Sequence, residues 1–130
     1  MARPLRVLIV DDNRDAAEML RVLVELAQHE ASVALTGEQA MAVAERERPD
    51  VVLLDISLPG ISGYDVCRRL RAQPWGRAML IAAQSGWGGE AEREEEAGFD
   101  LHLTKPIDLS ALMTLLAARQ AALPSAAPDE

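Results

Sequence analysis

Cysteine and lysine are almost missing from this 130-residue sequence; each occurs once, as Cys67 and Lys105. A single cysteine excludes an internal disulfide and any multi-cysteine zinc site. Long hydrophobic runs are missing too: none approaches the ~20 apolar residues of a membrane-spanning helix. The opening Met-Ala-Arg-Pro-Leu-Arg leads into an apolar stretch too brief for the core of a signal peptide. A cytoplasmic location without a membrane partner is the expectation. Positive charge is in deficit, with 13 basic residues against 21 acidic ones and a net charge of −8. A phosphate backbone demands a basic face, so nucleic acid is not an expected partner. A cationic partner surface or a bound cation is compatible with this balance. Twelve of the 13 basic residues are Arg, so the sole Lys stands either by chance or because Arg would not serve there.

What is present reads as one globular domain. The chain is 49% hydrophobic and 26% charged, which is folded rather than disordered composition. Its length suits one core and not two. Apolar runs at Leu5–Val10 and Val51–Leu54 have the unbroken character of strands buried on both faces. A weaker strand is predicted at Ala31–Leu35, a fourth at Met79–Ala83, ending near Gln84 and Ser85, and a fifth at Phe99–Leu103, ending in Thr104–Lys105–Pro106. Helical periodicity falls between them. Residues 13–29 follow an N-cap at Asp12 or Asn13, with Ala16, Met19, Leu20, Leu23, Val24 and Ala27 on one face. Thr36 and Gln39 have capping-box spacing and open a helix to about Glu47. Further helices are predicted over Tyr64–Ala72, over Glu90–Ala97 with Gly98 as its stop, and from Asp108 to about Ala121. Leu109, Leu112, Met113 and Leu116 are expected to face inward in the last of these.

Five strands alternating with five helices predict an α/β fold with a doubly wound five-stranded parallel sheet. Ligands of such sheets sit beyond the carboxyl ends of the strands. The polar residues at those ends are Asp11 and Asp12, Asp55, Ser85 and Lys105. Three carboxylates gathered at one edge repel each other unless a cation joins them. Oxygen ligands without His or thiolate select Mg²⁺ over zinc. Asp55 could then act as a nucleophile toward a phosphoryl group, with Lys105 and Ser85 contacting its oxygens.

At these residues the sequence resembles the receiver domains of two-component response regulators. The matching stretches are VLIVDDN (Val7–Asn13), DISLPGISG (Asp55–Gly63), AAQSG (Ala82–Gly86) and LTKP (Leu103–Pro106). The resemblance runs from Leu5 to about Ala121, and its flavour is nearest to receivers of hybrid sensor kinases. It implies a flavodoxin-like sheet of order 2-1-3-4-5, with the receiver over residues 1–122 and a flexible tail at 123–130. By the same resemblance, Asp55 is the phosphoacceptor, charged from a phosphohistidine on a sensor histidine kinase or a histidine phosphotransfer protein. Mg²⁺ is held by Asp12 and Asp55 and by the Ser57 carbonyl, with Asp11 acting through a water. Ser85 and Lys105 contact the phosphoryl group, and Lys105–Pro106 is a cis peptide. The expected protein is a phosphorelay module rather than an enzyme. It has no output domain in this chain, acts on an unidentified downstream partner, and is a monomer or weak homodimer.

One position departs from the family pattern, and a second is a candidate for site access. His102 stands where many receivers carry Tyr or Phe, and it is a candidate switch element as well as an ordinary strand histidine. Trp87, two residues after Ser85, is a candidate for controlling access to Asp55 and equally a loop aromatic. The remaining residues have plain expectations. The acidic run Glu90–Glu96 reads as a solvated helix face, Cys67 as a core thiol, and His29 as a surface residue. A phosphatase of the haloacid dehalogenase type would also use a strand-end Asp with Mg²⁺. It requires a second Asp two residues later, where this chain has Ser57. A partner-binding receiver that is never phosphorylated is a third reading, and the intact Asp11, Asp12, Asp55, Ser85 and Lys105 argue against it.

Overall fold

Unbroken apolar strands fix the centre of the fold. The structure, a computed structural model, describes residues 3–86 and 90–123. Trp87 and residues 124–130 of the expected tail lie outside the described residues. Five strands, β1 (Arg6–Val10), β2 (Glu30–Ala34), β3 (Val51–Asp55), β4 (Leu80–Ser85) and β5 (Leu101–Thr104), alternate with five helices. These are α1 (Arg14–Leu26), α2 (Gly37–Glu47), α3 (Gly63–Ala72), α4 (Ala91–Ala97) and α5 (Leu109–Ala122). A short 3₁₀ turn, Pro74–Gly76, links α3 to β4. The sheet order is β2-β1-β3-β4-β5 and every pairing is parallel.

Alternation along the central strands splits the core in two. Leu8, Val10, Val52 and Leu54 face α2, α3 and α4, where Val43, Val66, Leu70 and Ala97 meet them. Val7, Ile9, Val51 and Leu53 face α1 and α5, against Leu20, Val24, Leu112 and Leu116. Both layers bury apolar surface at roughly 25 cal/mol per Å² removed from water, which holds the sheet between them. The two strand ends that matter most, Asp11 and Asp55, are thus anchored by buried strand residues, Val7–Val10 and Val51–Leu54.

Helix entry and exit follow local chemistry. Asn13 caps α1 by accepting from Ala16 N, Thr36 caps α2 from Gln39 N, and Asp108 caps α5 from Ala111 N. Gly98 ends α4 with φ of +105°, a left-handed conformation that favours glycine. Every strand differs from its expected bounds by one or two residues: β1 begins at Arg6, β2 spans Glu30–Ala34 and β3 includes Asp55. β4 continues through Gln84 and Ser85 because the Ser85 carbonyl accepts from Lys105 N of β5. β5 begins at Leu101, since Gly98 and Phe99 are still bonded to the carbonyl of Glu94.

Four side-chain expectations are corrected. Met19 is 67% exposed and Leu109 50% exposed, whereas Leu115 is buried. The sheet meets α1 along Ala17, Leu20 and Val24, a stripe narrower than the apolar face of the sequence. In α5, apolar residues and alanines surround the helix, so periodicity could not choose between Leu109 and Leu115. His29 is buried, because its Nδ1 accepts from the Leu5 backbone N–H at 3.0 Å where β1 begins. Glu94 is buried within the acidic run, paired with His102.

Candidate functional site

Parallel strands bring their carboxyl ends to one edge, and that edge gathers the acidic residues. Asp11 follows β1 directly and is 1% exposed; Asp55 ends β3 and is 4% exposed. Asp12 is exposed beside them. One carboxylate oxygen from each of Asp11, Asp12 and Asp55 lies within 4.8 Å of the others. The backbone holds two of these side chains in place. Asn13 N donates to Asp11 Oδ1 at 2.9 Å, and Ser57 N donates to Asp55 Oδ1 at 3.0 Å.

Lys105 supplies the opposing charge from β5's far end. Its Nζ donates to Asp11 Oδ2 at 2.9 Å and to Asp55 Oδ2 at 3.2 Å. The Lys105–Pro106 peptide bond is cis. Burial works against the Lys105 charge, but its bonds to Asp11 and Asp55 outweigh that and hold its pKa above the ordinary lysine value. Burial also raises the Asp55 pKa. The Ser57 N–H and Lys105 oppose that rise, and the Asp11 charge adds to it. The site is therefore a tight cluster of three carboxylates with one ammonium among them. Its chemistry is that of a hard cation site. Oxygen donors in this number, two of them nearly fully buried, fit Mg²⁺, which uses one or two carboxylates and keeps several waters.

The loop after β3 depends on a close approach. Gly63 opens α3 against the end of β3, and its N–H donates to the Ile56 carbonyl at 3.0 Å. A Cβ at Gly63 would lie 2.6 Å from Ile56 Cα and overlap the Asp55 carbonyl oxygen. Ser62 caps α3 by accepting from Asp65 N. Ser57 itself is exposed between Asp55 and this helix.

Ser85 lies one residue beyond Gln84, which is in register with Asp55. Ser85 is buried, and its Oγ lies 3.3 Å from His102 Nε2. The other ring nitrogen, Nδ1, lies 3.0 and 2.9 Å from the two oxygens of Glu94. So the residues expected at the site fall into two groups: Asp11, Asp12, Asp55 and Lys105 in one, Ser85 and His102 in the other.

Three features were not anticipated from the sequence. Glu94 completes the Ser85–His102 group. Gln84 is fully buried, and neither atom of its side-chain amide has a hydrogen-bond partner among the described residues. A cleft of about 210 Å³ lies between α1 and the loop before α5, lined by Met19, Leu20, Leu23, Pro106 and Ile107, with Asp11 and Lys105 at one side. The exposure of Met19, Val22 and Leu26 extends this apolar surface along α1.

Comparison with known proteins agrees with this geometry. Residues 7–117 match the family model of the response regulator receiver domain. The chain is 39% identical over 106 residues to response regulator PleD of Caulobacter vibrioides, covering 79% of this chain and 23% of that protein. It is 38% identical over 130 residues to virulence sensor protein BvgS of Bordetella bronchiseptica, covering 93% of this chain and 10% of that protein. It thus spans about a quarter of the first and a tenth of the second. The receiver domain of sensor histidine kinase PA1611 from Pseudomonas aeruginosa superposes with a TM-score of 0.83 at 29% identity. That match covers 92% of this chain and 100% of the other, whose structure has a magnesium ion coordinated in the active site cleft.

Proposed function

As this chain belongs to the response regulator receiver domain family, we propose that it is a phosphoacceptor module in which Asp55 takes a phosphoryl group from a phosphohistidine. The carrying observation is the joint placement of Asp11, Asp12 and Asp55 within one ion's reach, with Lys105 bridging two of them. An Asp55 oxygen attacks phosphorus, the P–N bond to the donor imidazole breaks, and the departing ring nitrogen takes a proton from solvent water. The transferred group spreads negative charge over its oxygens, so positioning and charge neutralisation carry the catalysis.

Asp12 and Asp55 would hold Mg²⁺ through carboxylates, Ser57 through its carbonyl, and Asp11 through a water. Bound there, Mg²⁺ offsets the negative charge of carboxylates and phosphoryl oxygens. Lys105 exchanges its bond to Asp55 for one to a phosphoryl oxygen, and it keeps Asp11 as its second anchor. Ser85 offers its hydroxyl to another phosphoryl oxygen. Ser57 N–H fixes Asp55 Oδ1, which orients the carboxylate for attack.

The phosphohistidine reaches this edge on a protein partner, a sensor histidine kinase or a histidine phosphotransfer protein. The exposed Met19, Val22 and Leu26 on α1, beside the cleft that opens next to Asp11 and Lys105, suit an apolar partner face. The phosphorylated module then changes its contacts with a downstream protein. Among the described residues no helix is long and apolar enough to cross a membrane.

Incubation with Mg²⁺ and acetyl phosphate, followed by intact-mass spectrometry, tests the proposal. A single phosphoryl adduct is expected on the wild type, lost with EDTA and absent from Asp55→Asn. No adduct on the wild type despite Mg²⁺ binding would overturn it.

A further inference from the structure

The Ser85–His102–Glu94 chain has a polarity that the proposed phosphoryl contact must work against. A carboxylate only accepts hydrogen bonds, so Glu94 at 2.9 Å places a proton on His102 Nδ1. In the neutral ring, Nε2 is then the acceptor, and the Ser85 hydroxyl is the donor across 3.3 Å. A serine hydroxyl has one proton. While it is given to His102, it is not given to a phosphoryl oxygen. In the imidazolium both ring nitrogens donate, so the bond reverses and Ser85 accepts.

We propose that Glu94 and His102 are positioning residues that set the direction of the Ser85 hydrogen bond, and so decide whether Ser85 can donate to a phosphoryl group on Asp55. The proposal rests on Asp55 being the phosphoacceptor. Glu94 is buried on α4 and His102 half-buried on β5, so the clamp also ties the site to the α4 surface. A buried carboxylate held by a single imidazole is a built contact rather than a passing surface pair.

Acidic residues line the groove beside the ring, and one of them, Asp100, is paired with Arg71 at 2.6 Å. The groove of about 380 Å³ beside the ring is lined by the acidic Glu92, Glu94 and Glu95 of α4 and by Asp100 before β5. From β4 the ring meets the Ser85 hydroxyl. Arg93, the basic residue of α4, stacks instead over Tyr64, with its guanidinium carbon 4.1 Å from the ring centroid.

The test compares wild type with His102→Phe, which cannot accept the Ser85 proton. The readout is affinity for beryllofluoride, a phosphoryl mimic, in saturating Mg²⁺. At about pH 8 the His102→Phe protein should bind roughly 3- to 10-fold more tightly than wild type, the worth of one net hydrogen bond. In a Ser85→Ala background the same substitution should change nothing. Nitrogen-15 NMR of the ring should show the Nδ1–H tautomer in the wild type and its loss in Glu94→Ala, which removes the acceptor. Equal beryllofluoride affinity of wild type and His102→Phe, or an Nε2–H tautomer in the wild type, overturns the proposal. If the wild type shows the Nδ1–H tautomer but neither binds beryllofluoride nor takes a phosphoryl group, the phosphoacceptor reading has failed and the proposal falls with it.

Discussion

Lys105 Nζ lies 2.9 Å from Asp11 Oδ2, although 94 positions separate the two residues in the chain. The parallel sheet makes this contact, because β1 and β5 both end at the edge where β3 delivers Asp55. The same ammonium reaches Asp55 at 3.2 Å, so one cation holds two carboxylates that are almost without solvent.

Removing that cation should leave both carboxylates uncompensated. Lys105→Met should lower unfolding stability by about 1–3 kcal/mol in Mg²⁺-free buffer, since a buried acceptor loses its donor. Adding Mg²⁺ should restore part of the loss. Urea denaturation with and without the ion measures both effects. A variant as stable as wild type in EDTA would contradict the role given to Lys105.

Gly63 places the phosphoacceptor strand end against α3. Gly63→Ala should force the Asp55–Ile56 backbone away from the helix and cost about 1–3 kcal/mol, the usual penalty of overpacking. It should also lower the rate of acetyl phosphate labelling, because Asp55 moves with its carbonyl. Unchanged stability together with unchanged labelling would show that the loop absorbs the extra carbon freely.

Burial pushes the His29 pKa below its ordinary value of 6.5. Between the folded and unfolded values the unfolded chain binds a proton that the folded one excludes. Stability from this residue is therefore complete above about pH 6.5 and is lost as pH falls below it, by up to about 1.4 kcal/mol per pH unit. His29→Asn keeps an acceptor for Leu5 N–H without a titrating ring. Its stability should vary less with pH between about 5 and 7 than that of wild type. Parallel pH profiles would contradict this assignment.

Sequence and structure agree most closely where one residue type has one role. Apolar runs that end in Asp mark β1 and β3, and Asn13, Thr36 and Asp108 mark helix starts by the bonds their side chains accept. The pairing of Glu94 with His102 was not legible. In a run of five glutamates nothing local distinguishes the one that packs inward, and its partner is supplied by β5. Met19 misled for the opposite reason: periodicity reports which residues share a helix face, and not how wide a strip the sheet covers. His29 followed α1 as a surface residue would, and only the Leu5 N–H at the start of β1 explains its burial.

Cys67 is fully buried, and burial pushes its thiol pKa up to about 12. The thiolate is the reactive form. Native protein should resist thiol reagents at neutral pH, and labelling should proceed at the rate of unfolding. Fast labelling without denaturant would show that α3 opens locally.

Gln84 carries a buried amide whose side-chain atoms have no hydrogen-bond partner among the described residues. Gln84→Leu should stabilise the fold by about 1–3 kcal/mol, as apolar atoms replace unpaired polar ones. A raised urea midpoint with unchanged slope would bear this out, and a lowered midpoint would show that the amide is satisfied in solution.

The central claim is that Asp55 alone among the clustered carboxylates becomes covalently phosphorylated. Borohydride reduction of acetyl phosphate-treated protein converts an aspartyl phosphate to homoserine, and peptide mass spectrometry then locates it. Homoserine at position 55, with Asp11 and Asp12 intact, is the result the site geometry predicts. Homoserine at position 11 or 12, or none after labelling in Mg²⁺, would contradict it.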